Sequence, residues 1–249
     1  MPMSQLNQQL ILNFRFEPCY TFSNFVRTPS TQLAYNAALS FAQKTDLKYS
    51  SLCIYGGKGV GKTHLLKAIG NESSLNFKEA EIIYVGSKNI LADQRLIESE
   101  FDLVGLTERY YNVDFLIMDD IDLLLEQPNF DEKVFHLYNH LAQRGKKWAF
   151  TCSTPPHQLG FSDENLKSRL KSSFSVKIEK MQDNDRREVI KKLSKDFELF
   201  IPTKVIDYIL NCAPRDFKSL HEIVSQLNKL SFRTKKRITL PLAKQSLKK

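Results

Sequence analysis

From residue 30 onward, short apolar runs alternate with stretches in which apolar residues return every three or four positions. The runs at 51–55, 82–86, 115–119, 148–152 and 174–178 have strand length and are rich in β-branched and aromatic residues. Their apolarity is nearly uninterrupted, which suits strands buried on both faces, as in a parallel sheet. Between them, helical spacing covers 62–72, 88–111 and 130–144, and Ser30 is placed to cap a helix over 31–44. Strands alternating with helices predict an α/β layer structure with a parallel sheet covered on both sides. Beyond residue 181 the strand pattern stops, and 183–199, 203–213 and 215–231 read as amphipathic helices. The chain is therefore expected to divide into a polar, Gln/Asn-rich tail (1–18), an α/β domain (19–181) and a small all-helical domain (182–249).

Chemistry enters at the end of the first strand. The chain has nine glycines, and Gly56, Gly57, Gly59 and Gly61 crowd into one loop, Gly56-Gly57-Lys58-Gly59-Val60-Gly61-Lys62-Thr63. An apolar run, Leu52-Cys53-Ile54-Tyr55, precedes it, and a helical stretch from His64 follows. Strand, glycine loop and helix make a phosphate cradle: backbone N–H groups turn toward one anion, and the helix N-terminus adds its dipole. Lys62 is expected to reach the β- and γ-phosphates of ADP or ATP, and Thr63 to hold Mg²⁺. The third strand, Phe115-Leu116-Ile117-Met118, ends in Asp119-Asp120. Asp119 is expected to face Thr63 and hold the metal through water. Asp120 is expected to orient a water for attack on the γ-phosphate.

Composition narrows the setting. The formal net charge of +8 permits contact with nucleic acid. The excess is diffuse, and its clusters (Arg186-Arg187, Lys191-Lys192, Lys235-Lys236-Arg237, Lys248-Lys249) read as solvated helix faces. No apolar run approaches the ~18 residues of a membrane span. No basic region followed by an apolar core marks a signal peptide at the N-terminus. Cys19, Cys53, Cys152 and Cys212 are scattered, and Cys53 and Cys152 lie in strand-like runs. They are expected as buried thiols in a reducing cytoplasm, not as disulfides or metal ligands. His136 and His140 share a helix face without an acidic or Cys partner in the pattern and read as surface histidines.

These motifs resemble the nucleotide domain of the DnaA family of bacterial replication initiators, a branch of the AAA+ proteins. The likeness is carried by Tyr20-Thr21-Phe22-Ser23-Asn24-Phe25-Val26 with Pro29-Ser30, by Ile54 through the glycine loop to His64-Leu65-Leu66, by Asp119-Asp120, and by Leu166-Lys167-Ser168-Arg169-Leu170. It implies an AAA+ P-loop domain followed by a helical lid, with Tyr20, Phe22, Phe25 and Val26 walling the base. It further implies that Arg169 is an arginine finger acting in trans, Ser153 the first sensor and Lys218 the second. Both sensors depart from the family pattern. Ser153 offers no carboxylate, and Lys218 keeps a charge but loses the bidentate fork of arginine. Slow or absent hydrolysis by the chain itself is the consequence.

The closing residues, Arg237-Ile238-Thr239-Leu240-Pro241-Leu242-Ala243-Lys244, are similar to the Hda branch of that family, short homologues without the DNA-binding helix-turn-helix domain into which DnaA continues. Gln9-Leu10-Ile11-Leu12-Asn13-Phe14 resembles the peptide by which that branch docks on the DNA polymerase III β sliding clamp. Leu12 and Phe14 would fill an apolar pocket, with Gln9 offering amide hydrogen bonds and Leu10 part of the same partner-binding peptide. The branch implies ADP as working ligand, with catalysis directed at ATP held by DnaA. Two other roles stay open: an independent ATPase, such as a helicase-loading or DNA-remodelling factor, and a DNA binder using its basic helices. A homodimer, and a single-strand contact by 88–111, also stay open.

Overall fold

The computed structural model describes residues 19–44, 49–88, 113–125 and 130–247. The docking-type peptide at 9–14, with Gln9, Leu10, Leu12 and Phe14, lies outside these residues, as does nearly all of the segment 88–111.

Five strands form one parallel sheet: β1 (Ser51–Tyr55), β2 (Ile82–Gly86), β3 (Phe115–Asp119), β4 (Lys147–Cys152) and β5 (Phe174–Lys177). Their order is β2-β3-β4-β1-β5. Cys53 stands opposite Phe150 of β4, and Ile54 opposite Val176 of β5. β1, β3 and β4 are buried along almost their whole length, whereas the edge strands β2 and β5 are half exposed. The apolar runs hide a two-residue period. Cys53, Leu116, Met118, Trp148 and Phe150 pack on one side against Val134, Leu137 and Leu141 of α3 (Phe130–Gln143) and Leu166 and Leu170 of α4 (Glu164–Lys171). Leu52, Ile54, Phe115, Ile117 and Ala149 face the other way, onto α1 (Gln32–Ala42) and α2 (Lys62–Asn76). Alternate residues thus enter opposite layers, and both need to be apolar.

Several elements differ from the expected ones. α2 runs on to Asn76, past the polar residues at which the pattern breaks. There Ser73 donates to the Ala42 carbonyl (3.2 Å) and Ser74 to that of Gly70 (2.8 Å), so the polar side chains are satisfied without ending the helix. α4 was not anticipated. Its start is set by Asp163, whose carboxylate accepts from the backbone N–H groups of Asn165 and Leu166.

The helical part comprises α5 (Asp183–Asp196), α6 (Thr203–Cys212), α7 (Phe217–Thr234) and α8 (Leu240–Leu247), the last also unanticipated. Val189, Ile190, Leu193, Val205, Ile206, Ile209, Leu220, Val224 and Leu227 form their common core. The expectation that Arg186-Arg187 is a solvated pair fails for Arg186, which is 1% exposed. Its guanidinium donates to the carbonyls of Leu210 (2.9 Å) and Ala213 (2.8 Å) and to Asp183 (3.1 Å). It thereby satisfies the last-turn carbonyls of α6, which have no helical partners. The leading segment joins the two parts: Phe22 and Phe25 enter the sheet-side core, and Val26 enters the lid core. No helix among the described residues is long and apolar enough to cross a membrane.

Candidate functional site

The glycine loop with Lys62 and Thr63, Asp119 and Asp120, and Ser153 stand at or after the carboxyl ends of β1, β3 and β4, where open α/β sheets bind ligands. Past Tyr55 the chain turns tightly. A Cβ on Gly56 would stand 2.5 Å from the Ile178 carbonyl oxygen, so only glycine fits. Gly61 opens α2 with φ of 107°, and a Cβ there would come within 3.0 Å of the Phe25 ring. Lys62 is 8% exposed, and its ammonium donates to the carbonyls of Gly56 (2.9 Å) and Gly57 (3.1 Å). The charge is thereby held inside the curve of the loop, beside the N-terminus of α2.

Thr63 donates to Asp119 Oδ2 across 2.8 Å, the contact expected from sequence. Two further donors were not foreseen: Tyr84 OH on Oδ2 (3.1 Å) and Thr151 Oγ1 on Oδ1 (2.5 Å). The only hint of them is a polar group near the carboxyl end of an otherwise apolar strand. A hydroxyl beside a carboxylate is a hard-oxygen donor pair that suits Mg²⁺, which takes one or two protein groups and completes its shell with phosphate and water. Thr63 would bind such an ion directly, and Asp119 through water.

Asp120 has left-handed backbone angles (φ 54°), and its N–H donates to Thr151 Oγ1 at 2.8 Å. Its carboxylate stands 3.1 Å from the Lys88 ammonium. Ser153 itself offers no carboxylate, but one stands beside it. Asp122, in the 3₁₀ turn Ile121–Leu124, accepts from both the N–H (3.2 Å) and the Oγ (2.5 Å) of Ser153.

Lys62, Thr63, Asp120, Asp122 and Ser153 open onto one cleft of about 500 Å³, which Gly56, Gly57 and Asp119 do not line; the volume is within the range of small-molecule sites. Lys58, Gly59, Val60, Gly61, Lys62, Thr63 and His64 line its floor, and Asp120, Asp122 and Ser153 one end. Of the four residues expected to wall a base, Phe25 and Val26 line the cleft, joined by Thr28 and Thr31. Phe22 and Tyr20 do not line it. Phe22 is turned into the core against Tyr35 (centroids 5.4 Å apart), and Tyr20 packs edge-on against His64 (5.3 Å). His64 Nε2 lies 3.0 Å from the Thr21 carbonyl. Burial pushes the imidazole below its ordinary pKa despite that carbonyl, so it is neutral near pH 7. The lid closes the remaining side with Met181, Val189, Phe217 and Lys218, of which only Lys218 was foreseen. Lys218 is 85% exposed and only 3.8 Å from Glu222, a loose pair that leaves its ammonium free to turn inward.

Arg169 is exposed on α4 and is not among the residues lining the cleft. Its candidate acidic neighbours are engaged elsewhere: Asp163 caps α4, and Glu164 pairs with Lys167 at 2.5 Å. Cys53 and Cys152 are fully buried with their sulfurs 3.4 Å apart. Burial, then the neighbouring Cys152, pushes the Cys53 thiol well above its ordinary pKa, so it stays protonated.

Residues 16–177 match the family described as the bacterial DnaA ATPase domain, and 183–247 match the lid domain of Hda. The chromosomal replication initiator protein DnaA of Borrelia turicatae is 34% identical over 210 residues, covering 84% of this chain and 43% of the relative. The chain thus spans less than half the length of such relatives. Domain III of the Thermotoga maritima DnaA superimposes with a TM-score of 0.80 at 30% identity, over 93% of this chain and 97% of that one. The AMPPCP-bound DnaA of Aquifex aeolicus has a TM-score of 0.75 at 28% identity, over 87% and 67%. A replication initiator DnaA bound to AMPPCP and single-stranded DNA has a TM-score of 0.75 at 25% identity, over 89% and 69%.

Proposed function

Because this chain belongs to the bacterial DnaA ATPase-domain family of AAA+ proteins and carries an Hda-type lid, we propose that it is a nucleotide-binding regulator of replication initiation. In this reading it holds ADP or ATP with Mg²⁺ in the cleft, is tethered through residues 9–14 to the DNA-loaded sliding clamp, and stimulates hydrolysis of ATP held by DnaA. The observation that carries the proposal is the placement of cationic groups. Lys62 is enclosed by the glycine loop of the chain's own cleft, while Arg169 stands exposed outside it with no ion pair among the described residues. Lys62 serves the bound nucleotide, and Arg169 is available to a nucleotide on another subunit. The site itself would bind phosphate through loop N–H groups and Lys62, position the metal through Thr63 and Asp119, and seat the base between the leading segment and the lid.

The test is reconstitution with DnaA bound to ATP, sliding clamp loaded on DNA, and this protein. Accelerated phosphate release is expected, with loss of acceleration and of clamp binding when residues 1–14 are removed and ADP affinity unchanged. Full acceleration by the truncated protein would remove the clamp from the proposal. A second reading, an ATPase in its own right, is favoured by one observation: the Asp122 carboxylate beside Ser153.

A further inference from the structure

One face of α2, starting at the glycine loop, grips the leading segment. Gly61, His64, Lys67 and Asn71 share that face. Asn71 donates to the Tyr20 carbonyl at 2.6 Å, and the Lys67 ammonium lies over the Tyr20 ring, 4.6 Å from its centroid. His64 Nε2 meets the Thr21 carbonyl at 3.0 Å, and the same oxygen accepts the N–H of Phe25 at 3.2 Å. The Phe25 ring packs edge-on against the imidazole (centroids 5.2 Å apart) and lines the cleft with Val26. A carbonyl only accepts, so Nε2 carries the ring proton, and in the neutral imidazole Nδ1 is left as an acceptor. A phosphate oxygen is another acceptor. The Nε2 proton is already engaged by Thr21, and Nδ1 has none to give. His64 thus opens onto the cleft without a group that holds phosphate.

We propose that His64 is a positioning residue for the nucleoside: through the Thr21 carbonyl it sets Phe25 and Val26 in place relative to the phosphate loop. The inference rests on the nucleotide reading above and assigns His64 to the base half of that site. His64 directly follows Thr63, in the first turn of the helix that the glycine loop opens. Whatever fixes that turn also fixes the Thr21 carbonyl, one hydrogen bond away. The turn at 21–25 moves as a unit, since Thr21 Oγ1 also accepts from the Asn24 N–H at 3.2 Å. Phe25 is therefore placed by where Thr21 is held. A wall set before the ligand arrives needs less ordering when the ligand binds. Without the His64 bond the segment keeps its attachment at Tyr20, but the end that carries Phe25 loses its polar tie to the loop.

The experiment uses the full chain with Mg²⁺ and compares, by titration calorimetry, its affinity for ADP with that for inorganic pyrophosphate, which fills the phosphate site alone. Wild-type protein is expected to bind ADP the more tightly. His64→Leu removes the donor and should weaken ADP binding about tenfold, the upper end of one hydrogen bond's net contribution, with pyrophosphate affinity unchanged. His64→Gln carries an N–H at the reach of Nε2 and should recover most of that loss. His64→Asn has the same amide one carbon shorter, cannot reach the Thr21 carbonyl and should behave like His64→Leu, which decides the matter if His64→Leu fails to fold. An equal loss for both ligands overturns the proposal, because it would assign His64 to the phosphates. Unchanged ADP affinity in His64→Leu and His64→Asn overturns it too, as does a His64→Gln no better than His64→Asn, or a wild type that binds pyrophosphate as tightly as ADP. Absence of binding of either ligand by wild type would instead sink the nucleotide reading, and this inference with it.

Discussion

Lys62 concentrates the chemistry of the cleft in one side chain. Its ammonium is buried and bonded to two loop carbonyls, so it is already desolvated where phosphate oxygens would compete for it. Charge-assisted hydrogen bonds contribute roughly 1.5–3 kcal/mol each, and losing two would weaken binding about 10²-fold or more. Lys62→Ala should therefore lose affinity for ADP and ATP alike, as read by calorimetry, whereas Asp119→Ala should remove mainly the Mg²⁺-dependent part. Unchanged ADP affinity in Lys62→Ala would end the assignment of this loop. At this scale the sequence was legible wherever residues share one loop or one strand end. Lys62, Thr63 and Asp119 were readable because glycine spacing and an apolar strand ending in Asp-Asp carry signals of their own. Tyr84, Thr151 and Asp122 were not. Each acts on a partner more than 30 residues away along the chain, and a lone polar residue in a strand or turn does not state which neighbour it will meet.

The strands were legible as elements because β1, β3 and β4 are buried on both faces and are apolar over most of their length. α4 and α8 were not, since eight-residue helices with short apolar stripes barely establish a period. The lid shows the opposite difficulty. Charge in α5 looks like a solvated face, yet Arg186 is the bolt between α5 and the end of α6. Arg186→Met keeps the apolar stem but leaves the Leu210 and Ala213 carbonyls unpaired. The expected loss is roughly 2–6 kcal/mol, at 1–3 for each unsatisfied group, visible as a lower urea midpoint. Arg187→Met breaks only a half-exposed pair with Asp207 and should cost less than about 1 kcal/mol. Equal shifts in the two variants would mean that the α6 carbonyls do not anchor the lid.

Across the whole molecule, the leading segment, the glycine loop and the lid meet around one cleft, and Arg169 stands outside it. That two-part plan followed from the sequence, since strand patterning ends where the amphipathic helices begin. The contacts between the parts did not follow, because Val26 reaching into the lid core and Phe25 lying against Gly61 are tertiary packing with no local pattern. The arrangement carries a prediction about assembly. Asp163 and Glu164 are engaged in capping α4 and in pairing with Lys167, so the guanidinium of Arg169 is held back by neither of the acids beside it in sequence. An arginine reaching the γ-phosphate of a neighbouring subunit stabilises charge that develops only in the transition state, and its removal costs ~10³-fold or more in hydrolysis. Arg169→Ala should leave the chain's own ADP affinity and its clamp binding unchanged, because the residue lies outside the cleft. In the reconstituted assay with DnaA bound to ATP and clamp-loaded DNA, the same variant should fail to accelerate phosphate release. A variant that weakens ADP binding would place Arg169 in the service of its own cleft. A variant that accelerates fully would mean that some other group acts on the partner's nucleotide, or that the chain does not act on DnaA at all.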